Sequence, residues 1–250
     1  MLKKEKNGIQ WLEFELLADL PYLRHGVFLR HGGHSQGTFS SLNLSPYVGD
    51  NPQHVEANLQ AASQIMGVKF SWGQQHHGKT IALVPPDSTG DLKLRCDGLS
   101  TSAPQQGLLI HHADCQAAIF VDPVQRAVAN VHCGWRGSVQ NIYAEAVAFM
   151  QHRFQTQAEN LLVCIAPSLG PQNAEFIHYR QELPEAFWEY QIKPNYFDFW
   201  AISTMQLKQC GVLENHIQTA SISTYAHPED YYSYRYSKIR GGHGTVVGLI

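Results

Sequence analysis

The sequence lacks any C-x-x-C pair and contains only five cysteines, at positions 96, 115, 133, 164 and 210. An odd number of scattered cysteines predicts reduced thiols in a cytoplasmic protein rather than a disulfide framework. Long apolar runs are also missing, because charged residues interrupt every apolar stretch of the N-terminal segment MLKKEKNGIQWLEFELLADL. No run reaches the roughly 20 residues that a membrane-spanning helix requires, and no secretory leader is recognisable. We therefore expect a soluble cytoplasmic protein with no membrane partner.

A strong excess of either charge is absent as well. The formal net charge is -3, and the isoelectric point is about 6.5. These values exclude the broadly basic surface that is typical of nucleic-acid-binding proteins. Charged residues make up 16% and hydrophobic residues 44% of the chain, which indicates a folded globule rather than a disordered protein. Without repeats or a low-complexity linker, residues 1–250 are expected to form a single domain.

Two metal-binding motifs are missing, and each absence reduces the number of enzymatic reactions to consider. The usual zinc nucleobase deaminases combine His-x-Glu with Pro-Cys-x-x-Cys, and this combined signature does not occur because the chain has no Pro-Cys-x-x-Cys. Multinuclear copper oxidases use His-x-His pairs, and the chain contains none. Copper-dependent oxidation is therefore the least favoured enzymatic hypothesis.

Short β-prone runs alternate with a few amphipathic segments along the chain. The pattern predicts helices over 51–66, from 134 to about 150 and over 202–210, each bounded by glycine, proline or both. Strands are predicted at 27–29, 81–84, 107–110, 161–165, 217–225 and 245–250. Because the strands outnumber the helices and many are joined by hairpins, we expect an α+β fold with a mixed sheet and flanking helices.

Two apolar runs, 117–121 and 127–131, are separated by the polar break Asp122-Pro123-Val124-Gln125. A proline in such a break is typical of a turn, so the two runs predict an antiparallel hairpin. If the turn is centred after Pro123, Cys115 lies opposite His132, with Cβ atoms about 4.5–5.5 Å apart. A thiolate and an imidazole at this separation can bind one tetrahedral metal ion.

His77, in the loop Gln75-His76-His77-Gly78, is the third candidate ligand beside Cys115 and His132. Three nitrogen or sulfur ligands leave a fourth position for water or substrate, as in catalytic zinc sites. Taken singly, each residue is equally compatible with an ordinary role, because free cysteines are often buried and strand histidines are often only hydrogen-bonded. The neighbouring pair His111-His112 can place at most one ring in the site, since adjacent strand residues face opposite ways.

Other residues are candidates for anion binding and for proton transfer. Arg136 in Gly134-Trp135-Arg136-Gly137-Ser138 lies at a predicted helix start, where free N–H groups and a guanidinium suit phosphate. Arg30, followed by Gly32-Gly33, is a similar arrangement. Asp97 and Asp114 could each orient a histidine ligand or hold a proton. A solvated arginine at a helix start, and a simple Asp-Gly turn at Asp97, are the structural alternatives.

Together these motifs resemble the laccase-domain family, also called multi-copper polyphenol oxidases, whose members are described as zinc-containing purine nucleoside phosphorylases. The resemblance covers most of the chain. The matching segments are His25–Gly33, Ser41–Leu44, Val48–Asp50, Asn58, Gln75 with His77-Gly78, Asp97–Leu99, Ala113–Cys115, His132 with Gly134–Gly137, and Tyr232–Arg235. The implied fold is α/β, with β-sheets packed together and flanked by helices.

The resemblance implies that His77, Cys115 and His132 bind one zinc ion beside the substrate, with copper a less favoured metal. It implies purine nucleosides and phosphate as small-molecule partners, and it places Arg30, Asn43 and Arg136 near them. We also assign Gln75, one of the matching residues, to this substrate set. The implied reactions are phosphorolysis of adenosine, inosine and methylthioadenosine to the free base and a ribose-1-phosphate product, together with adenosine deamination.

This chain departs from the family pattern at His76, His112 and Cys133, which add potential metal donors, and in a longer segment 237–244. Some bacterial members of the family are also linked to peptidoglycan editing. One alternative function is therefore a Cys-His hydrolase, with Cys115 as nucleophile and His132 as base, acting on an amide such as a cell-wall precursor. Another is a non-catalytic protein in which zinc only stabilises the fold. The sequence does not determine the oligomeric state.

Overall fold

Two β-sheets pack face to face in the computed structural model, which describes all 250 residues. The strands are, in chain order, β1 (Leu2–Lys6), β2 (Ile9–Glu13), β3 (Leu23–Phe28), β4 (Lys69–Gln74), β5 (Ile81–Leu83), β6 (Gly90–Arg95), β7 (Gly98–Thr101), β8 (Gln106–His112), β9 (Gln116–Asp122), β10 (Ala127–Cys133), β11 (Leu162–Ile165), β12 (Gln191–Lys193), β13 (Tyr196–Phe197), β14 (Ile217–Thr219) and β15 (His243–Leu249). One sheet has seven strands in the order β1-β2-β3-β15-β8-β4-β6, and the other has six in the order β14-β11-β9-β10-β7-β5. The strands β12 and β13 form a separate ribbon.

Both sheets are mixed. In the seven-stranded sheet β4 runs parallel to β6 and β8, whereas β15 is antiparallel to β3 and β8. The six-stranded sheet likewise combines antiparallel pairs with the parallel pairs β11–β14 and β5–β7. The prediction of an α+β fold with mixed, packed sheets is confirmed.

Side-chain alternation along the strands divides the core into layers. On β9, Ile119 faces the space between the two sheets, where it packs with Leu108 and Val247 of the other sheet. Its neighbour Phe120 faces the opposite side and packs on helical residues such as Tyr143. A third cluster covers the outer face of the seven-stranded sheet. Because strand side chains alternate in direction, each central strand contributes to two layers.

The helices form the outer layers of this stack. They are α1 (Pro52–Met66), α2 (Trp135–Val139), α3 (Ile142–Phe154), α4 (Tyr179–Glu182) and α5 (Phe199–Gln209). The helix α1 agrees with the prediction at both ends, because Asn51 accepts a hydrogen bond from the main chain of Gln53 and Gly67 adopts a left-handed conformation. None of the five helices has the length and apolar character to cross a membrane.

Two predicted elements were wrong in extent. A single helix was expected from residue 134 to about 150, but α2 and α3 are separate because Asn141 has a left-handed φ of 53°. The Asn141 side chain caps α3 by accepting a hydrogen bond from the main chain of Ala144. The strand predicted over 217–225 ends at Thr219, and Ser221 beyond it has a φ of 53°.

Candidate metal centre

The β9–β10 hairpin exists, but its register differs from the prediction. His132 pairs with Ala117 rather than with Cys115, so the predicted register is wrong by two residues. The turn contains four residues, because the Asp122 Oδ1 atom accepts hydrogen bonds from the main-chain N–H groups of Val124 and Gln125 at 2.9 and 3.0 Å. A shift of two residues keeps every side chain on its predicted face, so Cys115 and His132 still lie on the same side.

His77, Cys115 and His132 come together at one end of the two sheets. Their candidate ligand atoms all lie within 4.8 Å of one another. The Cys115 Sγ atom is 3.9 Å from the His77 Nε2 atom. Ligand atoms of a tetrahedral zinc ion are about 3.3–3.8 Å apart at normal bond lengths, so small side-chain movements suffice for binding. One thiolate and two imidazoles suit zinc chemically, and His77 and Cys115 face a cavity that leaves room for a further ligand.

Each ligand is supplied by a different part of the fold. His77 follows β4 of the seven-stranded sheet, and Cys115 lies where the chain crosses from β8 to β9 in the other sheet. His132 lies near the end of β10 and is only 3% exposed. His77 is exposed and has a left-handed φ of 61°. The site therefore joins the two sheets at their shared end.

Asp97 holds two of the ligands in place. The buried carboxylate accepts a hydrogen bond from His132 Nδ1 at 2.9 Å, which leaves His132 Nε2 free to bind a metal. It also accepts main-chain hydrogen bonds from His77 and Gly78, both at 2.8 Å. Burial acts to raise the pKa of Asp97, but these hydrogen bonds prevail and lower it to about 2. The carboxylate is thus ionised at neutral pH and orients His132.

Cys115 and His132 stabilise each other's charged forms. Burial opposes charge on both groups, but the neighbouring His132 lowers the pKa of the Cys115 thiol to about 6. The Cys115 thiolate, together with Asp97, raises the pKa of His132 to about 9. The thiol is therefore poised to become the thiolate that metals bind.

Gly134 provides the space that the ligands need. A Cβ atom at this position would lie 2.8 Å from His77 Cδ2 and 3.1 Å from Cys115 Sγ. Both distances are shorter than ordinary van der Waals contact. A side chain here would push His77 away from Cys115.

The cavity beside the ligands has a volume of about 530 Å³, within the usual range for small-molecule sites. Aromatic side chains and four cationic side chains line it. These residues are Trp135, Phe176, Phe199 and Tyr234, and Arg136, Arg235, Lys238 and Arg240. Flat aromatic surfaces suit a purine base, and the cations suit phosphate.

Two of the predicted site residues line this cavity beside the ligands. The Arg136 guanidinium lies 4.2 Å from the Trp135 ring centroid, is solvent-exposed, and makes no hydrogen bond or ion pair within the chain. Asp114 also lines the cavity, but both its carboxylate oxygens are already engaged. They accept hydrogen bonds from the Thr224 hydroxyl at 2.7 Å and the Arg235 main chain at 2.6 Å. We therefore interpret Asp114 as an anchor for the chain around Arg235.

Arg30, Asn43 and Gln75 do not line the cavity. The Arg30 guanidinium donates hydrogen bonds to the main-chain carbonyls of Ser40 and Pro228 at 2.7–2.9 Å. Asn43 is fully buried and donates to Asp50, and Gln75 exchanges two hydrogen bonds with the main chain of His111. All three residues hold the chain together in this structure.

The extra donors of this chain also lie outside the ligand group. His112 is hydrogen-bonded to the Cys115 carbonyl and the Thr245 hydroxyl, and Cys133 Sγ lies 3.2 Å from the Ser138 hydroxyl. His76 Nδ1 contacts Asp97 at 3.0 Å. His111 packs edge-on against Trp72.

Arg235 belongs to the matching segment Tyr232–Arg235, but no role in the site was predicted for it or for Lys238 and Arg240. Arg235, Lys238 and Arg240 reach the cavity from the irregular chain that precedes β15. The available signal was the alternation of tyrosines and cations from Tyr232 to Arg240, which has no helical or strand period.

Three side chains that could bind a metal ion, two of them on the wall of a substrate-sized cavity, are characteristic of a metalloenzyme active site. The particular family follows from comparison with known proteins. Residues 24–250 match the family described as multi-copper polyphenol oxidoreductase laccase, and the chain belongs to this family. The resemblance inferred from the motifs is thereby confirmed.

Two curated relatives match over nearly their whole length. A protein of Bacteroides thetaiotaomicron named purine nucleoside phosphorylase is 28% identical, over 92% of this chain and 93% of the relative. Purine nucleoside phosphorylase YfiH of Escherichia coli is 30% identical, over 88% of this chain and 91% of the relative. The crystal structure of YlmD from Geobacillus stearothermophilus superposes with a TM-score of 0.88 at 25% identity, covering 98% of this chain and 97% of that one.

Proposed function

We propose that this protein is a zinc-dependent purine nucleoside phosphorylase that acts in the cytoplasm on adenosine, inosine and methylthioadenosine. The observation that carries the proposal is the His77–Cys115–His132 group opening into a cavity with aromatic and cationic walls. Relatives named purine nucleoside phosphorylases support the reaction class. All five thiols are free, as expected for a reducing compartment.

In the proposed reaction an oxygen of inorganic phosphate forms a bond to ribose C1′ while the C1′–N9 bond breaks. The electron pair leaves with the purine, which takes up a proton. His77, Cys115 and His132 would hold the zinc ion, which would supply a Lewis acid for an oxygen of the substrate.

The chain itself positions the two reactants. Trp135, Phe176 and Phe199 offer flat surfaces for the purine, and Arg136 offers an unpaired guanidinium for the attacking phosphate. Asp97 keeps His132 oriented through the 2.9 Å hydrogen bond. Positive charge beside the phosphate also stabilises the transition state, in which charge is redistributed between phosphate, ribose and purine.

A second candidate is a Cys-His hydrolase. In this hypothesis Cys115 is the nucleophile and His132 is the base. Asp97 is the carboxylate that orients His132 through its Nδ1 atom. His77 argues against it, since its Nε2 atom lies 3.9 Å from the thiol and completes a metal group. The stabilising-zinc hypothesis predicted fully buried ligands, whereas His77 is exposed and Cys115 is partly exposed.

The test is to incubate purified protein with adenosine or inosine, with and without phosphate, and to identify the products by mass. Phosphorolysis requires phosphate and yields ribose-1-phosphate, deamination releases ammonia, and hydrolysis releases free ribose without phosphate. Free ribose at an undiminished rate in phosphate-free buffer would falsify the phosphorylase proposal.

Two variants make this test specific to the site. Cys115→Ala should abolish nucleoside turnover, whereas Cys210→Ala removes a free, partly exposed thiol outside the cavity and should retain it. Absence of turnover for every nucleoside, with activity on an amide that depends on Cys115, would favour the hydrolase.

A further inference from the structure

The cavity has more unpaired positive charge than one phosphate ion can balance. Its four cationic side chains are accompanied by one carboxylate, that of Asp114, and none of the five takes part in an ion pair. Both oxygens of Asp114 already accept hydrogen bonds. A phosphate group has about one to two negative charges at neutral pH. Positive charge therefore remains after one phosphate has bound.

Three of the four cations form two separate groups, each stacked on its own aromatic ring, whereas Arg235 donates to the main-chain carbonyl of Glu175. Arg136 lies on Trp135, at the start of α2 and next to the metal ligands. Lys238 Nζ lies 3.7 Å, and the Arg240 guanidinium carbon 5.1 Å, from the Tyr234 ring centroid. Tyr234, Lys238 and Arg240 all belong to the 233–242 segment, so a different stretch of chain supplies the second group.

Arg240, in the second group, has a donor that lacks an acceptor. Its Nε atom is buried and has no hydrogen-bond partner in the chain. Leaving a buried donor of a charged group without an acceptor is costly in free energy. A bound anion would provide the missing acceptor.

We propose that the Tyr234–Lys238–Arg240 group binds the 5′-phosphate of a purine nucleoside 5′-monophosphate, while the Arg136 side of the cavity holds inorganic phosphate. The inference rests on the proposed phosphorolysis and specifies its substrate. Attack by phosphate on a β-nucleoside occurs on the ribose face opposite the base, whereas the 5′ carbon lies on the same face as the base. Two phosphates on opposite ribose faces match two cationic groups on different segments.

With adenosine 5′-monophosphate the reaction forms the C1′–O bond to inorganic phosphate and breaks the C1′–N9 bond. The purine leaves with the electron pair and is protonated to adenine. The other product is ribose 1,5-bisphosphate. The 5′-phosphate remains attached and takes no part in the bond changes.

The test measures binding first, so that it does not depend on turnover. Calorimetry should give a dissociation constant for adenosine 5′-monophosphate at least about tenfold lower than for adenosine, at low ionic strength. Lys238→Gln and Arg240→Gln should remove most of this difference. Lys193→Gln and Arg180→Gln are matched controls, because each cation also stacks on a tyrosine but lies outside the cavity. Both control variants should preserve the difference.

A competition experiment between inorganic phosphate and the nucleotide distinguishes two anion sites from a single one. If the two sites are distinct, the nucleotide still binds when inorganic phosphate is saturating. If inorganic phosphate displaces the nucleotide in simple competition, the cavity has a single anion site and the inference is overturned. Equal affinity for adenosine and its 5′-monophosphate would also overturn it. Phosphorolysis of adenosine without any preference for the nucleotide leaves the proposed function standing and refutes only this extension. Nucleotide binding that depends on Lys238, without phosphorolysis of any substrate, supports the anion site and refutes the proposed function.

Discussion

Two loops of this protein each combine an arginine with two glycines, but the two arginines make different contacts. Arg30 is followed by two glycines, and Arg136 lies between two glycines. The Arg30 guanidinium donates three hydrogen bonds to main-chain carbonyls of its own protein, whereas the Arg136 guanidinium has no such partner and faces the cavity. The comparison teaches that the hydrogen bonds of an arginine, and not its glycine-rich setting, distinguish a structural role from a binding role.

The glycines of the two loops differ in the same way. A Cβ atom on Gly33 would lie 2.3 Å from the Ser41 carbonyl oxygen, so this glycine permits close main-chain packing. A Cβ atom on Gly134 would instead meet the side chains of His77 and Cys115. The Arg30 loop packs closely against the main chain of Ser41, whereas Gly134 leaves space for the candidate metal ligands His77 and Cys115.

The largest expected effect concerns the metal beside the Arg136 loop. We predict about one zinc ion per chain in protein purified without added metal, because three ligands converge there. Cys115→Ala removes the thiolate and should lose most of the zinc, as measured by elemental analysis. Cys210→Ala serves as the control and should keep it. Full zinc retention in Cys115→Ala would show that the site is elsewhere.

The next largest effects are expected for substitution of Gly33 and Gly134, and they should differ in kind. Gly33→Ala forces the main chain near Ser41 to move, and we expect a loss of about 3 kcal/mol in the free energy of unfolding. Gly134→Ala should leave this free energy nearly unchanged and weaken zinc binding by at least about tenfold. Chemical denaturation and metal titration measure the two quantities. Similar effects of both substitutions would remove the distinction between the loops.

Arg30→Ala should destabilise the fold by about 2 kcal/mol, because it leaves the carbonyls of Ser40 and Pro228 without their charged donor. For a chain of this length the melting temperature should fall by about 4–8 °C. Arg30→Lys should recover only part of this loss, since an ammonium cannot reproduce the forked geometry. A normal melting temperature with a raised KM for nucleoside would instead show that Arg30 contributes to substrate binding.

The smallest effect in energy is the one on catalysis. Arg136→Ala should leave the melting temperature nearly unchanged and lower turnover at least about tenfold, which is about 1.4 kcal/mol of transition-state stabilisation. Steady-state kinetics at varied phosphate concentration measure it. Clear destabilisation with normal specific activity would make Arg136 a structural residue like Arg30.

Local signals in the sequence predicted much of the fold. The helix α1 was placed correctly because Asn51, Pro52 and Gly67 act through short-range capping. The hairpin register was missed because Asp122 closes a four-residue turn with its side chain, and the apolar pattern constrains only the face of each strand. The break at Asn141 was missed because the apolar spacing continues across it.

The site was predictable where distinctive residue types mark it. His77, Cys115, His132 and Arg136 stood out by chemistry and spacing, and the structure brings all four to one end of the sheets. Lys238 and Arg240 could not be placed, because the 233–242 segment has no periodic pattern and its position depends on contacts with distant residues such as Asp114. The role of Arg30 depends on the carbonyls of Ser40, in a nearby loop, and of Pro228, which is 198 residues away and which no local pattern encodes.

The position of β15 in the middle of the seven-stranded sheet has a consequence for biosynthesis. This strand, His243–Leu249, pairs with both β3 and β8, and the 233–242 segment leads directly into it. While the chain is still being synthesised, β3 and β8 lack their common neighbour and expose two unpaired edges. The cavity wall and the sheet are therefore completed in the same late step. A ribosome-bound chain that stops before His243 should be inactive and prone to aggregation.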